Sequence, residues 1–204
     1  RTQEALSLMS VPRANRTLSL ALQKSDVFLR LGRVTQARDL VEDFRNFFRP
    51  NKEKELSNVK DIMNESLGVI GKSLEYSNIE IIKEYEDVPS IELFSRELLQ
   101  VFINILKNAK EALVEHREEK RYVKINIAKK DNTIECVICD NGGGIDESIL
   151  QKIFDPYFTT KEDSIGTGLG LFMSHTIIHK HIHGQIYAQN NKEGVCFTIT
   201  IPIA

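Results

Sequence analysis

Near Pro50 the hydrophobic pattern of this chain changes its period, and that change decides what the chain can fold into. Before it, Leu20, Val27, Val34, Val41 and Phe48 recur every seven residues, with Leu31 and Phe44 close to the same stripe. A seven-residue apolar repeat is the seam of helices packed side by side. It predicts one long helix over about 17–48, weakened at Arg30, Gly32 and Arg33. Residues 10–16 read as a turn, because Pro12 disfavours helix at itself and at Val11. Residues 1–9 then read as the tail of an earlier helix. The expectation is a helical hairpin over 1–50 with a shortened first arm, which would form a homodimer through a four-helix unit. Pro50 ends the second arm, and 51–55 reads as a polar linker.

After the linker, periods of helix and strand alternate. Residues 59–74 place Ile62, Leu67, Ile70 and Leu74 on one helical face, and 79–85 alternate like a strand. Residues 91–116 read as a long helix burying Leu98, Leu99, Phe102, Ile105, Leu106, Ala109 and Leu113. Residues 122–128 and 133–140 read as strands around a polar turn. Residues 146–153 read as a short helix capped by Asp146, and 169–180 as a helix opened by glycines. Residues 184–189 and 195–201 read as a last strand pair. The predicted fold is an α/β (α+β) sandwich over 55–204, preceded by the hairpin.

Composition excludes some classes. Net charge is −2, which gives no basic signature for nucleic acid. No apolar run approaches the ~20 residues of a membrane span, and no signal segment opens the chain. The chain starts at Arg1 rather than Met, so it is expected to be a fragment with upstream parts removed. The expected location is cytoplasmic, which leaves room for a membrane-anchored parent. Cys136 and Cys139 form CxxC, but on a strand positions three apart point to opposite faces. Zinc or redox chemistry is therefore not expected, and the three cysteines read as buried or half-buried thiols in a reducing compartment.

Four blocks carry chemistry. In the first, Asn104 and Asn108 lie four apart, on one helix face. A neutral amide oxygen can ligate Mg²⁺ without repelling a polyphosphate, although two solvated asparagines would look the same. The second is Asp140-Asn141-Gly142-Gly143-Gly144-Ile145, directly after a strand. A strand-end aspartate can accept from an exocyclic amine, and glycines allow backbone close to a flat ring. A tight turn would use similar residues. The third, Phe154-Asp155-Pro156-Tyr157-Phe158-Thr159-Thr160-Lys161, sets an aromatic cluster beside a cation that could meet phosphate. The fourth, Gly166-Thr167-Gly168-Leu169-Gly170-Leu171, runs into a helix and offers free amides to an anion. It is neither a P-loop, because no Lys-Ser/Thr follows, nor a dinucleotide fingerprint.

In this order the blocks resemble the N, G1, F and G2 boxes of the GHKL ATP-binding superfamily. Their detail, with the tail Gly194-Val195-Cys196-Phe197-Thr198-Ile199-Thr200-Ile201-Pro202, resembles two-component sensor histidine kinases. The resemblance covers 55–204 nearly end to end and implies the Bergerat fold. It further implies ATP and Mg²⁺ as ligands, with Asp140 reading the adenine amine and Gly142 and Gly144 shaping its pocket. Asn108 would hold Mg²⁺, with Asn104 close by. Phe158 and Lys161 would join the nucleotide site, Lys161 as a catalytic cation beside Asn108. Gly166, Thr167, Gly168, Leu169 and Gly170 would wrap the phosphates, and Thr198 would sit beneath the adenine. Glu111 departs from kinases that carry a basic residue there; Lys107 or Lys161 would have to compensate.

Superfamily members that hydrolyse ATP, the gyrase-type and chaperone-type enzymes, resemble this module but carry a general-base glutamate where this chain has Asn104. Transfer to a histidine, with a response regulator receiver domain downstream, is the reaction the resemblance implies. The chain's five histidines are His116, His175, His179, His181 and His183, so the hairpin holds no acceptor. Autophosphorylation in the usual way is not expected. An ATP-binding pseudokinase is one alternative. An anti-sigma-type serine kinase is another, which the heptad stripe opposes. The spacing of His175, His179 and His183 invites a metal, but a helix packed on the sheet is the simpler reading.

Overall fold

The computed structural model describes residue 26 and residues 53–116, 119–160 and 168–203. The hairpin expected over 1–50 lies outside the described residues apart from Asp26. The described residues fall into two compact units. One holds residues 53–116, 119–154 and 171–203; the other holds residue 26 and residues 155–160 and 168–170.

The larger unit starts with β1 (Glu55–Ser57) and α1 (Val59–Tyr76). Asn58 starts α1 by accepting the Lys60 N–H on its side-chain oxygen at 3.0 Å. The same side chain donates to the Val88 carbonyl at 2.9 Å. After β2 (Ile79–Tyr85) and β3 (Ile91–Leu93) comes the long α2 (Ser95–His116). The apolar row of α2, from Leu98 through Phe102, Ile105 and Leu106 to Leu113, is fully buried. This helix packs on α1, β4 (Arg121–Lys130) and β5 (Thr133–Asp140). The chain then returns through α3 (Gly170–Thr176), a π-helical turn (Ile177–His181), β6 (Gln185–Asn190) and β7 (Val195–Pro202).

Five strands form a mixed sheet in the order β2-β4-β5-β7-β6, with β2 parallel to β4 and the other pairs antiparallel. Register assigns the two faces, because partners across a ladder share a side and neighbours along a strand do not. Ile134, Cys136, Ile138 and Asp140 of β5 share the helix-covered face with Ile125, Ile127, Phe197, Ile199 and Ile201. Glu135, Val137 and Cys139 take the other face with Cys196, Thr198, Thr200 and Tyr187. No described helix is long and apolar enough to cross a membrane.

Several expectations change. Residues 91–93 are a strand rather than the start of the long helix: Ile91 and Leu93 are buried around exposed Glu92, and β3 pairs antiparallel with β1. β1 itself falls partly in the stretch read as a linker. On α2, Glu97 is buried while Leu99 is only half-buried. Residues 146–153 form successive turns rather than a helix, with Ile149 N–H donating to the Asp146 carbonyl (3.0 Å) and Lys152 N–H to that of Ile149 (2.7 Å). Asp146 does cap this stretch, accepting from Ser148 N–H at 2.8 Å. The last α-helix ends at Thr176 and continues as the π-helical turn.

The cysteines need a second correction. Cys136 is a buried free thiol, whereas Cys139 is disulfide-bonded to Cys196, not a free thiol. The two stand directly opposite on β5 and β7, with Cα atoms 4.0 Å apart. The thiols of the CxxC diverge as strand geometry requires. The disulfide partner sits 57 residues further on and is brought in only by register.

Candidate nucleotide-binding site

Asp140 ends β5 and is only 3% exposed. Alternation puts it on the face of Ile134, Cys136 and Ile138, so a carboxylate closes an otherwise apolar row. Burial pushes its pKa up, while hydrogen bonds from the backbone N–H groups of Gly142 and Val195 pull it down. The Gly142 N–H reaches Oδ1 at 2.9 Å. The carboxylate is therefore buried, oriented by backbone and able to accept further donors.

The loop that follows is held on both sides. The Asn141 side chain is tied to the start of β4, accepting the Tyr122 N–H (2.9 Å) and donating to the Lys120 carbonyl (2.7 Å). From the other side, Gly143 N–H donates to the Glu193 carbonyl at 3.1 Å. The Asn190 side chain accepts from Ile145 N–H at 2.9 Å and donates back to the Ile145 carbonyl at 2.5 Å. Gly144 has φ +79, and a Cβ there would lie 2.9 Å from Asn190 Oδ1, so conformation and space both demand glycine. Gly194 meets a similar limit, since a Cβ would strike the Asp140 carbonyl.

The long helix runs past this loop. Asn104, Asn108, Ala112 and His116 are spaced by four and form one row of α2. A Cβ on Gly142 would lie 3.0 Å from that of Ala112, and one on Gly143 would lie 2.7 Å from the His116 ring. Of the two asparagines, Asn108 lies one turn before Ala112 and so nearer the loop, and Asn104 a further turn away. Both are half-buried, and Asn104 Nδ2 donates to the buried Ser174 hydroxyl of α3 at 3.4 Å. His116 is exposed and sits over the loop. Asn190, Glu193 and Ser174 were not found by sequence reasoning. Only the offset of Asn190 from the terminal glycine turn could have hinted at its role.

Thr198 is a correction. It is buried, but it pairs with Val137 and Tyr187 and stands on the sheet face away from Asp140. A residue beneath a base read by Asp140 would need the opposite face.

In the smaller unit, Tyr157 N–H donates to the Gly168 carbonyl at 2.8 Å, and Phe158 N–H to that of Asp155 at 3.3 Å. Phe158 is half-buried there, Leu169 is buried, and Gly170 opens α3. Lys161, Gly166 and Thr167 lie outside the described residues.

The histidine-rich segment divides. His175 and His179 share a face with ring centroids 5.4 Å apart, and His175 also meets Phe154 at 5.5 Å. Burial first, and the nearby His179 second, lower the pKa of His175. His181 points elsewhere, its Nδ1 lying 2.9 Å from both oxygens of the buried Glu97 carboxylate. Among the described residues no three His, Cys, Asp or Glu side chains group closely enough to hold a metal ion.

Known proteins resemble this chain in sequence and in fold. The family of histidine kinase-, DNA gyrase B- and HSP90-like ATPases matches residues 95–204, more than half of the chain. The two-component sensor PprA of Pseudomonas aeruginosa is 35% identical over 146 residues, which is 68% of this chain but 15% of that sensor. The chain thus spans a small part of that relative's length. The catalytic domain of histidine kinase ThkA superposes with a TM-score of 0.65 at 29% identity, covering 74% of this chain and 96% of that domain. The structure of ThkA in complex with response regulator protein TrrA has a TM-score of 0.66 at 20% identity, covering 99% of this chain and 64% of that one, and shows a shared fold. Family match, relative and shared fold agree: the chain belongs to the histidine kinase-, DNA gyrase B- and HSP90-like ATPase family, and its folded core is a Bergerat-type ATP-binding domain of sensor histidine kinase type.

Proposed function

We propose that this domain binds Mg-ATP and passes its γ-phosphoryl group to a histidine of a helical hairpin, and thence to a response regulator receiver domain. The observation that carries the reading is Asp140: a buried carboxylate at a strand end, oriented by backbone N–H groups, whose glycine loop packs against Ala112 and His116 of α2. Asp140 accepts the adenine amine, and the Gly142–Gly144 backbone lies against the ring. Asn108 would supply a neutral oxygen to Mg²⁺ without adding repulsion to the phosphates. When bound, the ion neutralises charge on the phosphates. By the family resemblance, Gly166, Thr167, Gly168, Leu169 and Gly170 would contribute backbone amides for phosphate, with Lys161 as a point charge and Phe158 as a further residue of the site.

Asn104 stands where a hydrolase needs a general base, and an amide has no useful basicity. The acceptor imidazole brings its own nucleophile. Its nitrogen attacks the γ-phosphorus, a P–N bond forms, the bond to the bridging oxygen breaks, and ADP leaves. No histidine lies in residues 1–50, so the acceptor is supplied by another chain or by sequence beyond this one. Homodimerisation through 1–50 and a cytoplasmic location complete the proposal. That ThkA has been captured with a response regulator protein supports the choice of partner.

The test is incubation with γ-labelled ATP, alone and with a hairpin domain bearing a histidine. Label on the added hairpin and none on this chain is the expected result. ATP binding with no transfer to any added hairpin would favour the pseudokinase reading, which the missing histidine already raises. Label on this chain alone would contradict the proposed acceptor.

A further inference from the structure

The turn between β6 and β7 does more to the Asp140 loop than close a hairpin. Asn191 makes the turn rigid: its Oδ1 accepts from the backbone N–H groups of Glu193 (2.8 Å) and Gly194 (2.7 Å), and its own N–H donates to the Gly194 carbonyl (2.9 Å). From this base the turn reaches the glycine loop at three consecutive residues. The Glu193 carbonyl takes the Gly143 N–H, Asn190 Oδ1 lies against Gly144, and the Asn190 carboxamide pairs with both backbone groups of Ile145. The second Nδ2 hydrogen of Asn190 is used as well, with Glu147 Oε1 3.1 Å away. A carboxamide offers one carbonyl acceptor and two N–H donors. Here it does for Ile145 what a neighbouring strand would do, at a position no strand reaches.

We propose that Asn190 is a positioning residue for base recognition. Its side chain holds the Asp140–Ile145 loop in the shape that lets Asp140 meet the 6-amino group of a purine nucleotide, so the loop needs no ordering by the ligand. The proposal rests on the assignment of Asp140 to the adenine amine. Its physical basis is that removing the carboxamide leaves a half-buried N–H and C=O of Ile145 without partners and frees Gly144 to explore other conformations. Asn190 is not expected to touch the nucleotide. Its loss acts through Asp140 and therefore falls on discrimination between bases rather than on phosphate binding.

The experiment titrates the whole chain with ATP and with purine riboside triphosphate, which lacks the 6-amino group, and follows thermal unfolding in parallel. Wild type should prefer ATP. Asn190→Ala should weaken ATP by about 10-fold or more, the worth of one good hydrogen bond, and weaken the purine nucleotide far less, so the preference collapses. Asn190→Asp, which keeps the acceptor for Ile145 N–H but cannot donate to its carbonyl, should lose part of the preference; it carries the test if the alanine variant does not fold. Unchanged ATP affinity in the variants would overturn the proposal alone. So would equal weakening of both nucleotides alongside a lowered melting temperature, the mark of a merely structural residue. A wild-type chain that does not distinguish the nucleotides, together with an Asp140→Asn variant that binds ATP normally, would overturn the Asp140 assignment itself and this proposal with it.

Discussion

The two faces of the five-stranded sheet are built from the same strands and do opposite work. On the helix-covered face, Ile125, Ile127, Ile134, Cys136 and Ile138 are essentially inaccessible to water, and the single carboxylate among them on β5 is Asp140. The other face carries ion pairs between Lys124 and Glu84 (2.8 Å) and between Lys130 and Glu135 (2.5 Å), with the Cys139–Cys196 disulfide beside them. Asp140 and Cys139 are neighbours in sequence, yet they belong to these different surfaces. Stability at the first face comes from burial, and a charge placed there costs stability, a cost that functional sites carry. At the second face polar groups are cheap, and only a covalent bond contributes much.

The largest effect should come from the covered face. Ile138→Ala removes a side chain that is 1% exposed from the centre of the sheet, and large-to-small changes at such positions cost about 2–5 kcal/mol. Urea unfolding should show the midpoint falling with an unchanged slope. A loss no greater than that of an outer-face substitution would erase the distinction between the faces. Next comes the disulfide, which closes 57 residues of chain. Cys139→Ser, or reduction of the native protein, should cost about 2–4 kcal/mol. The variant should melt alike with and without reductant, while the native protein should not.

Asp140 ranks third in energy but first in function. Asp140→Asn should weaken ATP by about 10–100-fold, the loss of a charge-assisted hydrogen bond of roughly 1.5–3 kcal/mol. Its effect on stability should have the opposite sign. Because burial raises the pKa of this carboxyl in the folded state, the folded chain holds the proton more tightly than the unfolded one. Asp140 therefore destabilises the fold at neutral pH, and that penalty is relieved as pH falls through the folded pKa. The asparagine variant should melt no lower than wild type at pH 7, with its relative advantage shrinking in acid. A variant that melts well below wild type at pH 7 would contradict the assignment of burial as the dominant influence on this group.

How far these surfaces were legible in sequence depends on where the determining contacts come from. The strands at Ile79–Tyr85 and Thr133–Asp140 match their alternation to the residue, because each face is written locally in period two. Asp140 stood out for the same reason, as a carboxylate ending an apolar alternation. β1 and β3 were missed because each is only three residues long and exists by pairing with the other across more than thirty residues. The disulfide and the far-side placement of Thr198 both depend on the register of β5 against β7, which no local pattern specifies. Asn190 is the extreme case: its partners are the backbone groups of Ile145, and backbone groups leave no trace in the letters of a sequence.

The smallest effect tests the other side of the comparison. Lys130 and Glu135 meet on the outer face at 2.5 Å, and the contact raises the lysine's pKa, chiefly through the hydrogen bond and then the charge of Glu135. Yet the Lys130 ammonium is in water, where screening and the entropy of a long side chain cancel most of the attraction. Lys130→Ala should leave the melting temperature and ATP affinity indistinguishable from wild type, and high salt should not change that result. The position flanks the same strand ladder as Ile138, a few residues away and on the opposite side. A measurable loss at Lys130 would mean that the outer face contributes ionic stability of its own. The contrast between the faces would then be one of chemistry rather than of strength.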